Sequence, residues 1–209
     1  MFDVLQPDHP ERKQAIDFVS HVFKRAYGAN VEHFLPYMMR VRNKHLQYRS
    51  VLGYRDAASG PLYLEYYLDE PIEQAISSYL GYPVDRSKIV EVGNLAEAEA
   101  GDARMAIIGA TAYFYAAGYR WVAFTGVRRL RNAFSKLGLS PKQLIAADER
   151  RLPAGDIEQW GTYYKGDPVV CFGSLEDGHN NLQDLWESLR DTWAAAEHVG
   201  LHMASNKQA

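Results

Sequence analysis

A carboxylate inside an apolar strand is the residue of this chain best placed to do chemistry. Ile89-Val90-Glu91-Val92-Gly93-Asn94-Leu95-Ala96 reads as a buried strand that carries Glu91 and Asn94. Side chains alternate along a strand, so Ile89, Glu91 and Gly93 share one face and Val90, Val92 and Asn94 the other. A carboxylate set between valines is paired, protonated or turned toward a cavity, because an unpaired buried charge is costly. Burial raises its pKa, and a carboxyl group that titrates near neutrality suits general-base catalysis. Gly93 marks a bulge, which turns Asn94 toward the side of Glu91 and leaves backbone groups free of the ladder. The plainer alternative is a structural hydrogen bond within the sheet.

The elements that must hold this strand are legible in outline. Residues 10–27 read as a helix, with Ile16, Val19, Phe23 and Tyr27 at spacings of three and four and Gly28 as its cap. Residues 34–39 form a short helix or turn. A hairpin follows, with a strand near 46–54, a turn at 56–60 and a strand at 62–68 that sets Tyr63, Glu65 and Tyr67 on one face. Pro71 opens a helix to Leu80. A helix from Gly101-Asp102 to Ala117 is apolar on nearly all sides and therefore buried. Residues 121–125 form a second apolar strand, 130–137 a helix closed by Gly138, and 144–147 a further helical turn. Late strands are expected near Tyr163 and at 168–175. Leu182, Leu185, Trp186, Leu189 and Trp193 mark a last amphipathic helix. The order of elements argues for one α/β or α+β domain over residues 1–200, with 201–209 as a disordered tail.

Composition narrows the function. Of 209 residues, 47% are hydrophobic and 23% charged, with a net charge of −3, so there is no electrostatic case for nucleic acid. The first residues lack a basic region followed by an apolar run, so no signal peptide is expected. No stretch approaches the roughly 20 apolar residues of a membrane span. A lone Cys171 fits a reducing compartment and reads as a buried, inert thiol, so a cytoplasmic location is expected. His198 and His202 have helical metal-ligand spacing, but Gly200 between them sits in a fraying tail, and no metal site is predicted.

The strand at 89–96, the helix after it, the strand at 121–125 and Asn132-Ala133-Phe134-Ser135-Lys136-Leu137-Gly138-Leu139 together resemble the cofactor half of a GNAT-superfamily acyltransferase. The whole chain resembles more closely the thermostable hemolysin family. The matching pieces are Phe34-Leu35-Pro36, residues 62–69, residues 89–96, Phe124-Thr125, Leu130-Arg131-Asn132-Ala133-Phe134 and Trp160-Gly161-Thr162-Tyr163-Tyr164. That family is similar in turn to GNAT-like enzymes, including acyl-homoserine-lactone synthases.

The resemblance implies a GNAT-like mixed, splayed β-sheet flanked by helices. It implies an acyltransferase that moves an acyl group from a thioester to an amine or amino acid, by direct attack in a ternary complex. No cofactor is tightly bound; the thioester of coenzyme A or of an acyl carrier protein is a co-substrate lying in the gap between splayed strands. Glu91 takes the amine's proton through water, with Asn94 beside it, and Tyr164 or Tyr163 reprotonates the leaving thiolate. Ala96, Gly101, Arg104, Thr125 and Asn132 face the donor, and Glu65, Tyr67, Trp121 and Tyr163 the acceptor. Where the synthases carry an arginine this chain has Asn94, so S-adenosylmethionine is not an expected substrate. The loop at 97–104 should cradle phosphate at a helix N-terminus, yet Glu97, Glu99 and Asp102 would repel a pyrophosphate. A carrier-protein thioester, with one phosphodiester, fits this loop better, and Arg128, Arg129 and Arg131 could meet an acidic carrier. The other readings are a non-catalytic GNAT-like module that binds an acyl carrier or partner enzyme, and a membrane-active hemolysin.

Overall fold

Alternating apolar segments build one seven-stranded mixed sheet in the computed structural model, which describes residues 1–182, 185 and 190–207. The strands are β1 (Phe2–Leu5), β2 (Tyr37–Arg42), β3 (Tyr48–Asp56), β4 (Ile89–Glu97), β5 (Trp121–Gly126), β6 (Lys142–Ala146) and β7 (Val169–Ser174). Their order in the sheet is β1-β2-β3-β4-β5-β7-β6. All neighbours are antiparallel except β4 and β5 at the centre. A parallel pair needs a crossover, and helix α3 (Ala103–Ala116) supplies it. This is the α/β arrangement expected from the order of elements.

Helices cover both faces. On one, α1 (Arg12–Tyr27) and α2 (Ile72–Leu80) pack with the 61–68 segment against Val51, Ala96, Ile89 and Ala123. On the other, α3 lies against Leu52, Tyr54 and Val90, joined by α4 (Arg128–Lys136), α5 (Leu175–Leu182) and α6 (Arg190–Lys207). The middle of α3 is buried all round, as its apolar sequence predicts. Gly28, in the left-handed conformation, closes α1, with Lys24 and Arg25 in the last turn facing the negative end of the helix dipole.

Several local expectations are corrected. Residues 34–39 lead into β2 instead of forming a helix. Residues 62–68 are not a strand: Tyr63–Tyr67 coil into a 3-10 turn, because the Glu65 carboxylate folds back to accept from the Leu62 amide at 2.8 Å. Residues 144–147 extend an edge strand, β6, paired with β7. Tyr163 opens a second 3-10 turn, Tyr163–Gly166, and not a strand. Helix α6 continues through Lys207, where an unstructured tail was expected from residue 201. Gly200 sits inside this helix and is buried; a Cβ there would collide with the Tyr113 carbonyl oxygen, so its small size lets α6 lie close on α3. Trp186, Leu189 and the side chain of Trp193, expected on the last amphipathic face, lie outside the described residues. Among the described residues no helix is long and apolar enough to cross a membrane.

Candidate active site

The central parallel strands are hydrogen-bonded over only part of their length. Ile89 pairs with Trp121, and the ladder ends where Val92 meets Phe124. Beyond that point β4 stays with β3, while Thr125 and Gly126 of β5 pair with β7. The strands splay, and a cleft of about 1650 Å³ occupies the gap. The cause is on β4. Gly53 faces Gly93 and Val51 faces Ala96, so β4 carries one residue more than β3 between them. This is the expected bulge. The residue in left-handed conformation is Asn94, with φ of 51°, and not the glycine before it. Asparagine tolerates that conformation better than other side chains with a Cβ.

Asn94 turns toward the face of Glu91, and both ends of its amide are bonded there. Its Oδ1 accepts from the Leu35 amide at 2.9 Å, and its Nδ2 donates to the His33 carbonyl at 3.1 Å. It pins the 33–35 segment across the bulge, which makes it a positioning residue.

Glu91 lies beside the gap, only 3% exposed. The 3-10 turn holds it: the Tyr63 amide donates to one carboxylate oxygen at 3.1 Å and the Leu64 amide to the other at 2.8 Å. Burial pushes the carboxyl up to about 7, outweighing the opposite pull of these amides and of Arg55. A carboxyl group that titrates there, at an open cleft, can exchange a proton near neutral pH.

The two faces of the cleft differ in polarity. Toward α3 the wall is apolar: Val92, Val122 and Phe124 from the sheet meet Ile107, Ala110, Phe114 and Phe134. The rings of Phe124 and Phe134 stack with centroids 4.9 Å apart. Toward α1 the wall is aromatic and polar. His33 Nε2 lies 3.2 Å from Asp156 Oδ2, and the Tyr63 hydroxyl accepts from Trp160 Nε1 at 3.1 Å. Arg55, directly opposite Glu91 across the β3–β4 pair, completes this wall. Gly161 positions Trp160: its φ is 54°, and a Cβ would collide with the Tyr27 carbonyl oxygen, the same oxygen that accepts from the Thr162 amide at 2.8 Å.

A helix start presents amides without helical partners and the positive end of the dipole, a natural place for an anion. The chain fills that position itself. One oxygen of Glu97 accepts from the Gly101 and Ala103 amides, both at 3.1 Å, and the other pairs with Arg129. Asp102 is taken by Arg49 at 2.8 Å. Glu97 therefore occupies the anion position that the start of α3 provides. Arg128 pairs with Asp167, and Arg131 donates to the carbonyls of Gly126 and Asp167 at 2.6 and 2.8 Å.

Most of the residues expected at the site line the cleft: Glu91, Asn94, Gly101, Arg104, Thr125, Asn132, Glu65, Tyr67 and Tyr163. Three do not. Ala96 is 1% exposed and packs beneath α1. Trp121 turns away to pack edge-on against Phe172. Tyr164 sits behind Tyr67, the two hydroxyls 2.5 Å apart. Burial pushes the Tyr164 phenol up to about 12, a poor match for reprotonating a thiolate. Glu65 reaches the lining but braces the fold, accepting from the Leu62 and Ile72 amides and pairing with Arg86 at 2.6 Å. Tyr163 donates to the Thr125 carbonyl at 3.3 Å. The sequence marks Arg55, His33 and Asp156 in no way, and names Trp160 only within its family-matching motif. Only Trp160, through its glycine-tyrosine motif, carries a sequence signal. Cys171 is buried, which pushes its thiol up to about 11 and leaves it inert, as expected. Among the described residues no three His, Cys, Asp or Glu side chains converge to hold a metal ion.

Several solved structures are similar to this one, three of them as follows. The CoA-dependent acyl-homoserine lactone synthase BjaI, solved with SAM and isopentyl-CoA, is 12% identical with a TM-score of 0.58, over 94% of this chain and 98% of its own. FeeM, an N-acyl amino acid synthase from uncultured soil microbes, is 13% identical with a TM-score of 0.56, over 87% of this chain and 98% of its own. The AHL synthase LasI is 16% identical with a TM-score of 0.55, over 84% of this chain and 89% of its own. At these identities the likeness is one of fold, and the fold is the GNAT-like splayed sheet. No curated protein shows significant sequence similarity to the chain. The family model described as thermostable hemolysin matches residues 5–179. On that match, and on this fold, the chain belongs to the thermostable hemolysin family.

Proposed function

We propose that the protein is an N-acyltransferase that moves an acyl group from a thioester to an amine or amino acid. The observation that carries this reading is Glu91: a carboxyl group titrating near 7, fixed by two backbone amides beside the gap between splayed strands. The acyl chain lies along the apolar wall between Val92, Phe124 and Phe134, and the acceptor enters past Tyr63 and His33. Glu91, acting through water, takes a proton from the acceptor's ammonium. The nitrogen lone pair then attacks the thioester carbonyl carbon, the new C–N bond forms as the C–S bond breaks, and the thiolate leaves with the proton that the amide nitrogen gives up. The attack is direct, because the buried Cys171 is held as a thiol and lies off the cleft lining.

The donor is a carrier-protein thioester in preference to free acyl-coenzyme A. Glu97 already holds the amides that a pyrophosphate would need, whereas a single phosphodiester asks for fewer. Arg128 and Arg129, each 70% exposed, give an acidic carrier protein a basic contact beside the gap. These groups lie within one domain, which includes α6 through Lys207 and which we take to work in the cytoplasm on an acylated natural product. Hemolysis then follows from a surfactant-like N-acyl product.

Intact-mass spectrometry tests the reading. Acyl-carrier protein and acyl-coenzyme A are incubated side by side with the protein and a panel of amines and amino acids. Amide product from the carrier donor is expected, with less from coenzyme A. Thioester binding without turnover on any acceptor would overturn the enzymatic reading in favour of a non-catalytic carrier-binding module, to which the self-filled phosphate position is also suited. Lysis of erythrocytes by the purified protein without substrate would do the same in favour of a membrane-active one.

A further inference from the structure

We propose that the acceptor is an α-amino acid taken as its zwitterion, with Arg55 binding its carboxylate while its ammonium faces Glu91; this rests on the acyl-transfer reading above. Arg55 and Glu91 are register partners on β3 and β4, so their side chains leave the sheet on the same face with Cβ atoms roughly 5 Å apart. Opposite charges so placed would ordinarily close into an ion pair. Here they do not: Arg55 makes no ion pair with any described residue, and different backbone groups of one segment hold the two apart. The Pro61 carbonyl accepts from Arg55 Nη1 at 2.7 Å, and the Tyr63 and Leu64 amides take the Glu91 carboxylate. A guanidinium has five N–H donors in a planar fork, so an arginine anchored at one nitrogen keeps donors for a carboxylate.

The neighbouring charges are already committed. Glu65 pairs with Arg86, and Asp156 lies against His33. Arg55 is thus the cation at this end of the cleft that a carboxylate would meet, and Glu91 the base that an ammonium would meet. A plain amine would satisfy only half of the pair.

The experiment compares α-amino acids with their decarboxylated amines and methyl esters, such as leucine with isoamylamine, on wild type, Arg55→Met and Arg55→Lys. Two readouts are taken: turnover with a fixed acyl-carrier donor, and calorimetric binding of each acceptor to the protein alone. Charged hydrogen bonds of this kind predict a preference of roughly 10- to 100-fold for the amino acid over the amine. Arg55→Met should erase that preference, chiefly by raising KM for the amino acid; any change in kcat from the lost pull of Arg55 on Glu91 should be shared by amino acid and amine, so the ratio between them reports the carboxylate contact. Arg55→Lys should restore part of it. Equal use of amino acid and amine by wild type overturns the inference and leaves acyl transfer standing. An equal loss on every acceptor in Arg55→Met assigns the arginine to holding Pro61 and also overturns it. Absence of turnover on all acceptors defeats the acyl-transfer reading instead; the binding arm then decides, with carboxylate-dependent binding lost in Arg55→Met upholding Arg55 as a carboxylate site and its absence overturning it.

Discussion

The two ends of the cleft treat charge in opposite ways. At the start of α3 every carboxylate has closed on a partner: Glu97 on two amides and Arg129, Asp102 on Arg49. At the other end Arg55 and Glu91 face each other across two strands and are kept from closing by the 61–64 segment. A self-satisfied cluster gains little from a ligand, because binding must first break what is already made. Charges held apart have that interaction still to make. The polar end of the cleft is therefore suited to a small charged partner, whereas at the start of α3 the amides that would meet a pyrophosphate are already filled.

The largest test of this contrast falls on Glu91. Replacing it by Gln should lower kcat about 10²- to 10⁴-fold while circular dichroism and donor binding stay near wild type. Unchanged turnover would reduce Glu91 to a structural hydrogen bond in the sheet. Its titration has a second consequence. The carboxyl group is raised to about 7 in the fold, above its unfolded value, so its stabilising share is complete below the unfolded pKa and is lost as pH climbs through 7. Urea titrations of wild type against Glu91→Gln should show wild type losing roughly 3 kcal/mol more between pH 4.5 and 7.5. Parallel pH profiles for the two would show that Glu91 does not titrate in that window.

The aromatic wall can be broken without touching a charge. Gly161→Ala forces a Cβ into the Tyr27 carbonyl at a positive φ, and should cost about 2–4 kcal/mol and displace Trp160. Chemical denaturation measures the first effect and acceptor KM the second; wild-type values for both would mean the loop adapts freely. The smallest effect is expected at the self-filled end. Glu97→Ala frees the Gly101 and Ala103 amides, and coenzyme A should then bind roughly tenfold tighter by calorimetry. Affinity equal to wild type would mean that Glu97 is not what keeps the pyrophosphate out.

Much of the central architecture was legible because local pattern and global fold agree there. The apolar run around Glu91, the all-apolar helix after it and Gly138 beyond the next helix each point to the same β-α-β-α unit, and the structure builds it. Residues 62–68 misled because Tyr63, Glu65 and Tyr67 alternate as a strand would; the Glu65 cap onto Leu62, which coils them, leaves no mark on that pattern. The edge strand β6 has only Leu144 partly buried between exposed neighbours, so it shows no amphipathic period. Gly200 looked like the end of a helix because in sequence a packing glycine and a stop signal are the same letter. At the site, Glu91 declared itself by being a charge among valines. Arg55, His33 and Asp156 gave no such sign. Each is an ordinary polar residue near a turn, and what brings them together is the docking of loops far apart in the chain.

The 61–64 turn grips Glu91 through main-chain amides alone. Leu64 is fixed by the core, but the Tyr63 side chain takes no part in that grip, and a new residue there would reshape the cleft mouth while the base stays where it is. Holding a carboxylate by main-chain groups separates the position of the base from the shape of the pocket, and it marks Tyr63 as the position from which to reshape that pocket.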